Sequence, residues 1–255
     1  MTVALRRVAA SPAFGRLIVI AVLLAIWEIA ARRFVDPMFL APPSQVVWRI
    51  GAMFGTRGVP AAIEITLFEL VVAFALSAAI GITVGLVLGL NDFSRRSFMP
   101  MVLLVYGMPQ ITILPLFILY FGIGAASKIA FGVTHGTFPI IVTVAAGVQN
   151  IRPILLTCAR SMGANFWQQL RHVIFPHVVP TLFTGMRLGM TGVLLGVLLA
   201  ELYVSTAGIG YFTTLFTQNF DPTRLLGLVG TLAAIAIVLN ALMRRLEVRF
   251  GRWRD

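Results

Sequence analysis

The chain has 255 residues, of which 59% are hydrophobic and only 11% are charged, and its mean hydropathy is +0.95. A soluble domain carries roughly a quarter charged residues, so this chain cannot cover a water-facing surface and is predicted to be an integral membrane protein. Its formal charge of +11 indicates the anionic inner leaflet as a partner, not nucleic acid. With Cys158 as its single cysteine, the chain forms no intramolecular disulfide and no cysteine-based metal site.

Six apolar runs follow one another along the chain, each bounded by charged residues, proline or glycine. A helix needs roughly 20 apolar residues to cross a bilayer, so the sequence predicts an all-α membrane protein with six transmembrane helices. The first run is predicted to be an uncleaved anchor, with a cleavable signal peptide as the alternative. The runs cover residues 17–31, 63–90, 98–121, 127–147, 178–200 and 225–243.

The distribution of arginine and lysine predicts the orientation. If the N-terminus is cytoplasmic, the inner segments hold 13 basic residues and the outer segments hold 6. This excess predicts that both termini lie in the cytoplasm. We expect residues 1–62 to form an anchor helix with an outer interfacial loop, and residues 63–255 to form the core with the other five spans.

The connections between the runs carry their own signals. Ser44 is predicted to cap a short helix that lies in the membrane interface. Residues 91–97 are predicted to form a short inner turn that makes the second and third spans neighbours. The outer segment 202–223 carries little charge and is expected to fold back into the protein. Asp221 and Pro222 are predicted to be the N-cap and the first-turn proline of the last helix.

No recognisable catalytic set occurs in the sequence. The histidines at 135, 172 and 177 show no metal-ligand spacing. The run GIGAASK at 122–128 departs from a phosphate-binding loop because Ser127 stands where that loop has glycine. We therefore expect neither enzyme activity nor a cofactor or metal in this chain, and we expect His135 to be a hydrogen-bonded structural residue instead of a proton relay.

Prolines and ionisable side chains inside the spans are candidates for the translocation pathway. Pro109 and Pro115 each remove a backbone donor from the third span, which indicates either a pathway-lining hinge or an ordinary kinked packing helix. Charged side chains are costly within a bilayer, so Glu69, Arg187 and Glu201 are candidates for the pathway or for an ion pair between helices. Arg187 and Glu201 are predicted to form a structural pair or to line the pathway.

The strongest signal lies in the inner segment RPILLTCARSMGANFWQQLRHVIFPHVVP, residues 152–180. Its apolar residues recur at helical spacing, which predicts an amphipathic helix over about 155–172. Gly163 and Ala164 expose backbone in the middle of this helix, so another surface could approach closely. The pattern favours docking into a groove on a partner protein, with a helix lying on the lipid surface as the alternative.

The same segment resembles the loop known by its EAA motif in ABC importer permeases, although Thr157 and Cys158 stand where that motif opens with glutamate and alanine. Other stretches are similar to the branch of these permeases that imports nitrate, sulfonates and taurine, among them residues 40–47, 82–90, 114–130, 138–151 and 200–211. The residues that fill the motif are Ala159, Gly163, Ala164, Gln168, Val173 and Pro176.

The resemblance implies a type I ABC importer permease with a cytoplasmic coupling helix between the fourth and fifth spans. It also implies a bacterial inner-membrane location, a second permease copy as homodimer partner, a periplasmic substrate-binding protein and surrounding lipid. A separate ATP-binding subunit would bind the ATP and Mg. The residues implied in coupling to that subunit are Ala159, Arg160, Met162, Gly163, Ala164, Phe166 and Gln168.

The resemblance further implies the cargo, a small anionic solute of the nitrate, alkanesulfonate or taurine class that moves from periplasm to cytoplasm. A thiamine-precursor pyrimidine or riboflavin is the alternative within the same family. An ion-coupled secondary transporter is the alternative from another class, although the sequence lacks the internal repeat typical of such proteins.

Overall fold

A computed structural model of the chain describes residues 12–203 and 206–251. Every regular element in these ranges is helical, as the composition predicts. Residues Gln110–Ile113 form a 3-10 turn, and residues Leu170–Ile174 form a π-helical turn. The α-helices of the described ranges are α1 (Pro12–Arg33), α2 (Pro43–Met53), α3 (Val59–Leu90), α4 (Asp92–Gly107), α5 (Leu114–Phe121), α6 (Ala125–Gln149), α7 (Pro153–Ser161), α8 (Phe166–Gln169), α9 (Phe175–Tyr203), α10 (Ile209–Gln218) and α11 (Pro222–Gly251).

In these ranges, five helical stretches are long and apolar enough to cross a membrane, and a bent pair of helices would make a sixth. This agrees with the six predicted spans. The basic residues at 6, 7, 252 and 254, which entered the orientation count, lie outside the described residues. The five stretches are Phe14–Arg33, Val59–Leu90, Ala125–Gln149, Phe166–Tyr203 and Pro222–Arg249.

The third predicted span is not the continuous helix that the sequence indicated. The stretch Asp92–Gly107 and the stretch Gln110–Phe121 meet at an angle of 86°. Proline disfavours a helical conformation in the residue before it, and Met108 is accordingly extended, with φ −73° and ψ 147°. Pro109 therefore lies in the break, and Pro115 lies in the first turn of α5.

The predicted inner turn over residues 91–97 is also shorter than expected. Only Asn91 leaves the helical conformation, and α4 begins at Asp92. The Asn91 side chain accepts hydrogen bonds from the N–H groups of Phe93 at 2.9 Å and Ser94 at 3.3 Å. This N-cap satisfies donors that the first turn of any helix leaves free, so α4 can start at once.

The helices form two compact units. The first contains the described residues up to Pro60 together with Phe212–Ala233, and the second contains Ala61–Tyr211 together with the described residues from Ala234 onward. The predicted division into residues 1–62 and 63–255 stays a prediction.

Within the first unit, a carboxylate of α1 caps the start of α2. Glu28 Oε2 accepts the backbone N–H of Ser44 at 3.0 Å, and Glu28 Oε1 accepts the Ser44 hydroxyl at 2.8 Å. The prediction that Ser44 itself is the N-cap is wrong, because α2 begins at Pro43 and Pro42 occupies the N-cap position. The predicted cap of the last helix is confirmed, since Asp221 Oδ1 accepts the N–H of Arg224 at 3.0 Å.

In the second unit, α6 packs against both α3 and α9 and supplies much of the core. Ile140, Val144 and Val148 of α6 pack with buried residues of α9 and with partly buried residues of α3. Helices α6 and α9 approach so closely that a Cβ at Gly196 would lie 3.0 Å from the Cα of Gly132. Both glycines therefore permit a backbone contact that a side chain would prevent.

Candidate functional site

The connection between α6 and α9, residues 150–174, contains two short helices and not the single helix predicted over 155–172. Helix α7 ends at Ser161, and Gly163 adopts a left-handed conformation with φ +78°. The N–H of Gly163 donates to the carbonyl of Arg160 at 2.9 Å, and the N–H of Ala164 donates to the carbonyl of Ala159 at 3.0 Å. This pattern closes a helix at a left-handed glycine, so the chain turns at Gly163.

Helix α8 restarts immediately after the turn because its first residues cap one another. The Asn165 side chain accepts the N–H of Gln168 at 2.9 Å, and the Gln168 side chain accepts the N–H of Asn165 at 2.8 Å. Such a reciprocal pair satisfies two backbone donors at a helix start. The apolar periodicity along 155–172 therefore belongs to two helices whose relative direction is set at Gly163.

One face of the α6–α9 connection is held in the core and the other is exposed. Leu156 and Leu170 pack against the buried cluster that contains Ile174. On the other side, Met162 is 87% exposed and Trp167 is 73% exposed. The connection thus presents large apolar side chains from a supported backbone. Of the residues implied in coupling, Arg160, Met162, Gly163, Phe166 and Gln168 are exposed, while Ala159 and Ala164 are half-buried.

A second candidate site is an ionic cluster buried in the same unit, which we call the Lys128 cluster (Thr66, Glu69, Lys128 and Glu201). Lys128 Nζ lies 2.6 Å from Glu69 Oε1 and 3.9 Å from Glu201 Oε1. It also donates a hydrogen bond to the carbonyl oxygen of Ala207 at 3.1 Å. The side chains of Glu69, Lys128 and Glu201 are at most 5% exposed, so these ions are withdrawn from solvent.

The carboxylate of Glu201 fixes the segment that follows α9. Its Oε2 accepts the N–H of Gly210 at 2.7 Å, and its Oε1 accepts the hydroxyl of Thr66 at 2.7 Å. The Thr66 oxygen in turn accepts the N–H of Ile209 at 2.9 Å. The cluster therefore joins α3, α6, α9 and the start of α10, and the buried Ile209 agrees with the predicted fold-back of this segment.

The predicted pairing of Arg187 with Glu201 is wrong, and the alternative that they line the translocation pathway stays a prediction. Both residues belong to α9, and a helix rises 1.5 Å per residue, so they are about 21 Å apart along its axis. Arg187 Nη1 instead lies 3.1 Å from Glu247 Oε2 of α11, which also accepts the hydroxyl of Thr184 through Oε1 at 3.3 Å. The structure thus separates Arg187 from Glu201 and joins Glu201 with Glu69 through Lys128.

The remaining predicted residues lie outside both candidate sites. Pro109 and Pro115 are exposed around the bend after α4, and their part in a pathway stays a prediction. His135 Nδ1 lies 3.2 Å from the carbonyl oxygen of Phe131 within α6. Among residues 12–203 and 206–251, no group of three or more histidine, cysteine or acidic side chains could hold a metal ion.

Sequence reasoning missed Lys128, Thr66, Glu247 and Trp167. Lys128 was not among the candidate ionisable residues of the spans, yet it lies inside α6. It is the only lysine among 20 basic residues, which is a signal that its chemistry is special. Thr66 precedes Glu69 by three residues, a spacing that places both on one face of a helix.

Comparison with known proteins shows the family to which this chain is similar. Residues 77–253 match the family described as "binding-protein-dependent transport system inner membrane component". The taurine transport system permease protein TauC of Escherichia coli (strain K12) is 30% identical over 240 residues, which cover 92% of this chain and 87% of TauC. The formylaminopyrimidine transport permease protein ThiX of Halalkalibacterium halodurans is 29% identical, over 91% of this chain and 92% of ThiX.

A solved structure shares the fold. It is an inward-facing conformation of the MetNI methionine ABC transporter, which aligns with a TM-score of 0.64 and 20% identity over 76% of this chain and 94% of the matched chain. The family match covers more than half of this chain, and the helical architecture agrees with it. The chain therefore belongs to the family of binding-protein-dependent transport system inner-membrane components, the membrane-spanning permeases of ABC importers.

Proposed function

We propose that this chain translocates solute for an ATP-driven importer, and that its α6–α9 connection docks onto a separate ATP-binding subunit. The observation that carries the proposal is the exposed apolar surface formed by Met162, Phe166 and Trp167. Exposed large apolar side chains mark interaction surfaces, and aromatic residues and methionine are enriched in protein interfaces. The proposal assigns ATP and Mg to that partner, because the sequence carries no phosphate-binding loop.

The Gly163 turn gives this surface a defined shape. The left-handed glycine and the Asn165 cap fix where α7 ends and where α8 begins. The inner face of the connection packs against the core, so a push on the exposed face would be transmitted to α6 and α9. In the proposed importer, closure of the ATP-binding subunits moves this connection and thereby the spans attached to it.

The proposed assembly contains two copies of this chain with a translocation path between them. Both termini and the α6–α9 connection face the cytoplasm, and a periplasmic binding protein delivers the solute to the other side. The family description, which names dependence on a binding protein, and the excess of basic residues in the predicted inner segments support this arrangement.

For the cargo we propose a small organosulfonate. The support is the taurine permease relative, which matches 92% of this chain. A pyrimidine precursor of thiamine is the alternative, supported by the formylaminopyrimidine permease at similar identity and coverage. Calorimetric titration of the cognate binding protein with taurine and with formylaminopyrimidine separates the two, because only the true cargo would bind tightly.

Cysteine labelling tests the docking surface and its orientation together. In a Cys158→Ser background, Met162→Cys and Phe34→Cys place probes at residues that are 87% and 83% exposed. A membrane-impermeant maleimide should label the first only in inside-out vesicles and the second only in right-side-out vesicles. Addition of the ATP-binding subunit should protect position 162 and leave position 34 reactive. Labelling of position 162 from the outside would refute the docking proposal.

Substitution of Gly163 tests the shape of the surface. No atom lies within 4 Å of a Cβ built at Gly163, so a side chain there changes the backbone preference without a clash. Valine disfavours the left-handed conformation by about 1–2 kcal/mol, whereas asparagine tolerates it. We expect Gly163→Val to lower ATP-dependent uptake by about 5- to 30-fold and Gly163→Asn to retain it.

Uptake by the chain reconstituted without an ATP-binding subunit tests the alternative mechanism. Transport driven by an ion gradient alone would refute the importer proposal and would indicate a secondary transporter. The structure offers this alternative little support, because the carboxylates of Glu69 and Glu201 share Lys128 as a cationic partner.

A further inference from the structure

The C-terminal part of α11 carries a cavity that the proposed transport function does not use. It has a volume of about 460 Å³ and is lined by Ala241, Arg244, Arg245, Val248 and Arg249. Residues three or four positions apart lie on one side of a helix, so the five lining residues share one side of α11 over about two turns. We call this feature the arginine cavity.

Within residues 12–203 and 206–251, no carboxylate neutralises the positive charge of the arginine cavity. Glu247 is the only carboxylate in the described part of α11 beyond Asp221, and it is already engaged by Arg187 at 3.1 Å and Thr184 at 3.3 Å. None of the three arginines of the cavity lies within 4.0 Å of a carboxylate oxygen of residues 12–203 or 206–251. The cavity thus offers up to three positive charges to an anion.

The surface that leads to the cavity is apolar. Ile237, Val238 and Leu242 are exposed side chains on the turns of α11 that precede the arginines, and Val248 is exposed at the cavity itself. These residues belong to the stretch Pro222–Arg249, which is apolar enough to cross a membrane. The cavity therefore lies where an exposed apolar surface meets a charged helix end.

We propose that the arginine cavity binds the headgroup phosphate of one anionic phospholipid, whose acyl chains lie along the apolar turns before it. Such a lipid matches both features, since its phosphate meets the guanidinium groups and its chains meet Ile237 and Val238. A soluble anion would match the arginines alone. Arginines next to a transmembrane helix on the cytoplasmic side attract anionic lipid with about 1 kcal/mol each, which makes them suited to this role.

The Arg187–Glu247 pair positions the cavity. It ties the last turns of α11 to α9 and thereby holds the arginine-bearing turns of α11 in a fixed direction. Both carboxylate oxygens of Glu247 bind side chains of α9. Glu247 therefore does not compete with the lipid phosphate for the neighbouring arginines.

Lipid binding by the purified full-length chain tests the proposal. Native mass spectrometry would count phosphatidylglycerol and phosphatidylcholine molecules retained by the wild-type protein and by the Arg244→Gln/Arg245→Gln variant. We expect the wild type to prefer phosphatidylglycerol and the variant to bind it about 30-fold more weakly. The matched control is Arg95→Gln/Arg96→Gln, an adjacent pair in which Arg95 already has Asp92 as a partner at 2.8 Å; it should bind like the wild type.

Three outcomes would overturn the proposal. These are equal affinity for the two lipids, wild-type binding by the Arg244→Gln/Arg245→Gln variant, and displacement of the lipid by submillimolar inorganic phosphate, which would indicate a soluble-anion site. If the glutamine variant does not fold, the wild type still decides, because raised salt must weaken phosphatidylglycerol binding and leave phosphatidylcholine binding unchanged.

Discussion

Replacing Lys128 by methionine tests most directly whether the charges within the Lys128 cluster compensate one another. Lys128 is the only cation within 4.0 Å of Glu69 and Glu201 among the described residues. When all three groups are ionised, the cluster carries one net negative charge. Lys128→Met would leave the cluster with two negative charges and no cation. Glu69→Gln would instead bring the net charge of the cluster to zero.

The expected losses of stability follow from this difference in the net charge of the cluster. Removing one partner of a buried ion pair costs about 3–5 kcal/mol, because the remaining charge is left uncompensated. For a protein of about this size, each 1 kcal/mol lowers Tm by about 2–4 °C, so Lys128→Met should lower Tm by about 6–20 °C. Glu69→Gln leaves Lys128 with Glu201 and with the carbonyl of Ala207, so its Tm should fall by much less.

The assay is a thermal melt of purified protein in one detergent, followed by the fluorescence of the native tryptophans. The double variant Lys128→Met/Glu69→Gln should be more stable than Lys128→Met, because it removes one of the two carboxylates that Lys128→Met leaves without a cationic partner. Equal losses for Lys128→Met and Glu69→Gln, or a loss below about 2 °C for Lys128→Met, would refute the charge-balance reasoning.

Three further predictions concern the contacts around the two candidate sites. Gly210→Ala should lower Tm by the equivalent of about 1–3 kcal/mol, because its Cβ would overlap Glu201, and a melt that matches the wild type would contradict this. Arg187→Glu should lower Tm, because it places a like charge against Glu247, and Arg187→Glu/Glu247→Arg should restore it; no recovery in the double variant would show that the 3.1 Å pair is not the reason. Asn165→Ala should lose about 1 kcal/mol of local stability through its cap, seen as faster hydrogen exchange in α8 than in α7.

Much of the fold could be read from the sequence, because a bilayer imposes simple rules on composition. Apolar runs of sufficient length have to form helices there, since no water is present to satisfy backbone groups. Five of the six predicted runs lie within single helical stretches, and the predicted N-cap at Asp221 is confirmed for the same local reason. The chain's membership of the permease family was likewise carried by local motifs, and residues 77–253 match it.

Breaks within helices were harder to predict, although their causes are local. The prolines of the third run were recognised, yet the 86° bend depends on how the chain continues after Pro109. In the α6–α9 connection, apolar periodicity concealed the end of α7, because helical spacing continues across a turn when both helices bury one face. Gly163 and the Asn165 cap were the signals that could have revealed it.

The sequence alone determined that the chain is helical, that it resides in a membrane and to which permease family it belongs, since these follow from hydropathy, spacing and motif. Only the tertiary structure decided which ionisable residues meet. Lys128 contacts both Glu69 and Glu201, which lie far from it in the sequence. Arg187 contacts Glu247, which is 60 positions further along the chain. Such pairings depend on which helix faces lie side by side, and burial makes each charge require a partner that sequence distance does not reveal.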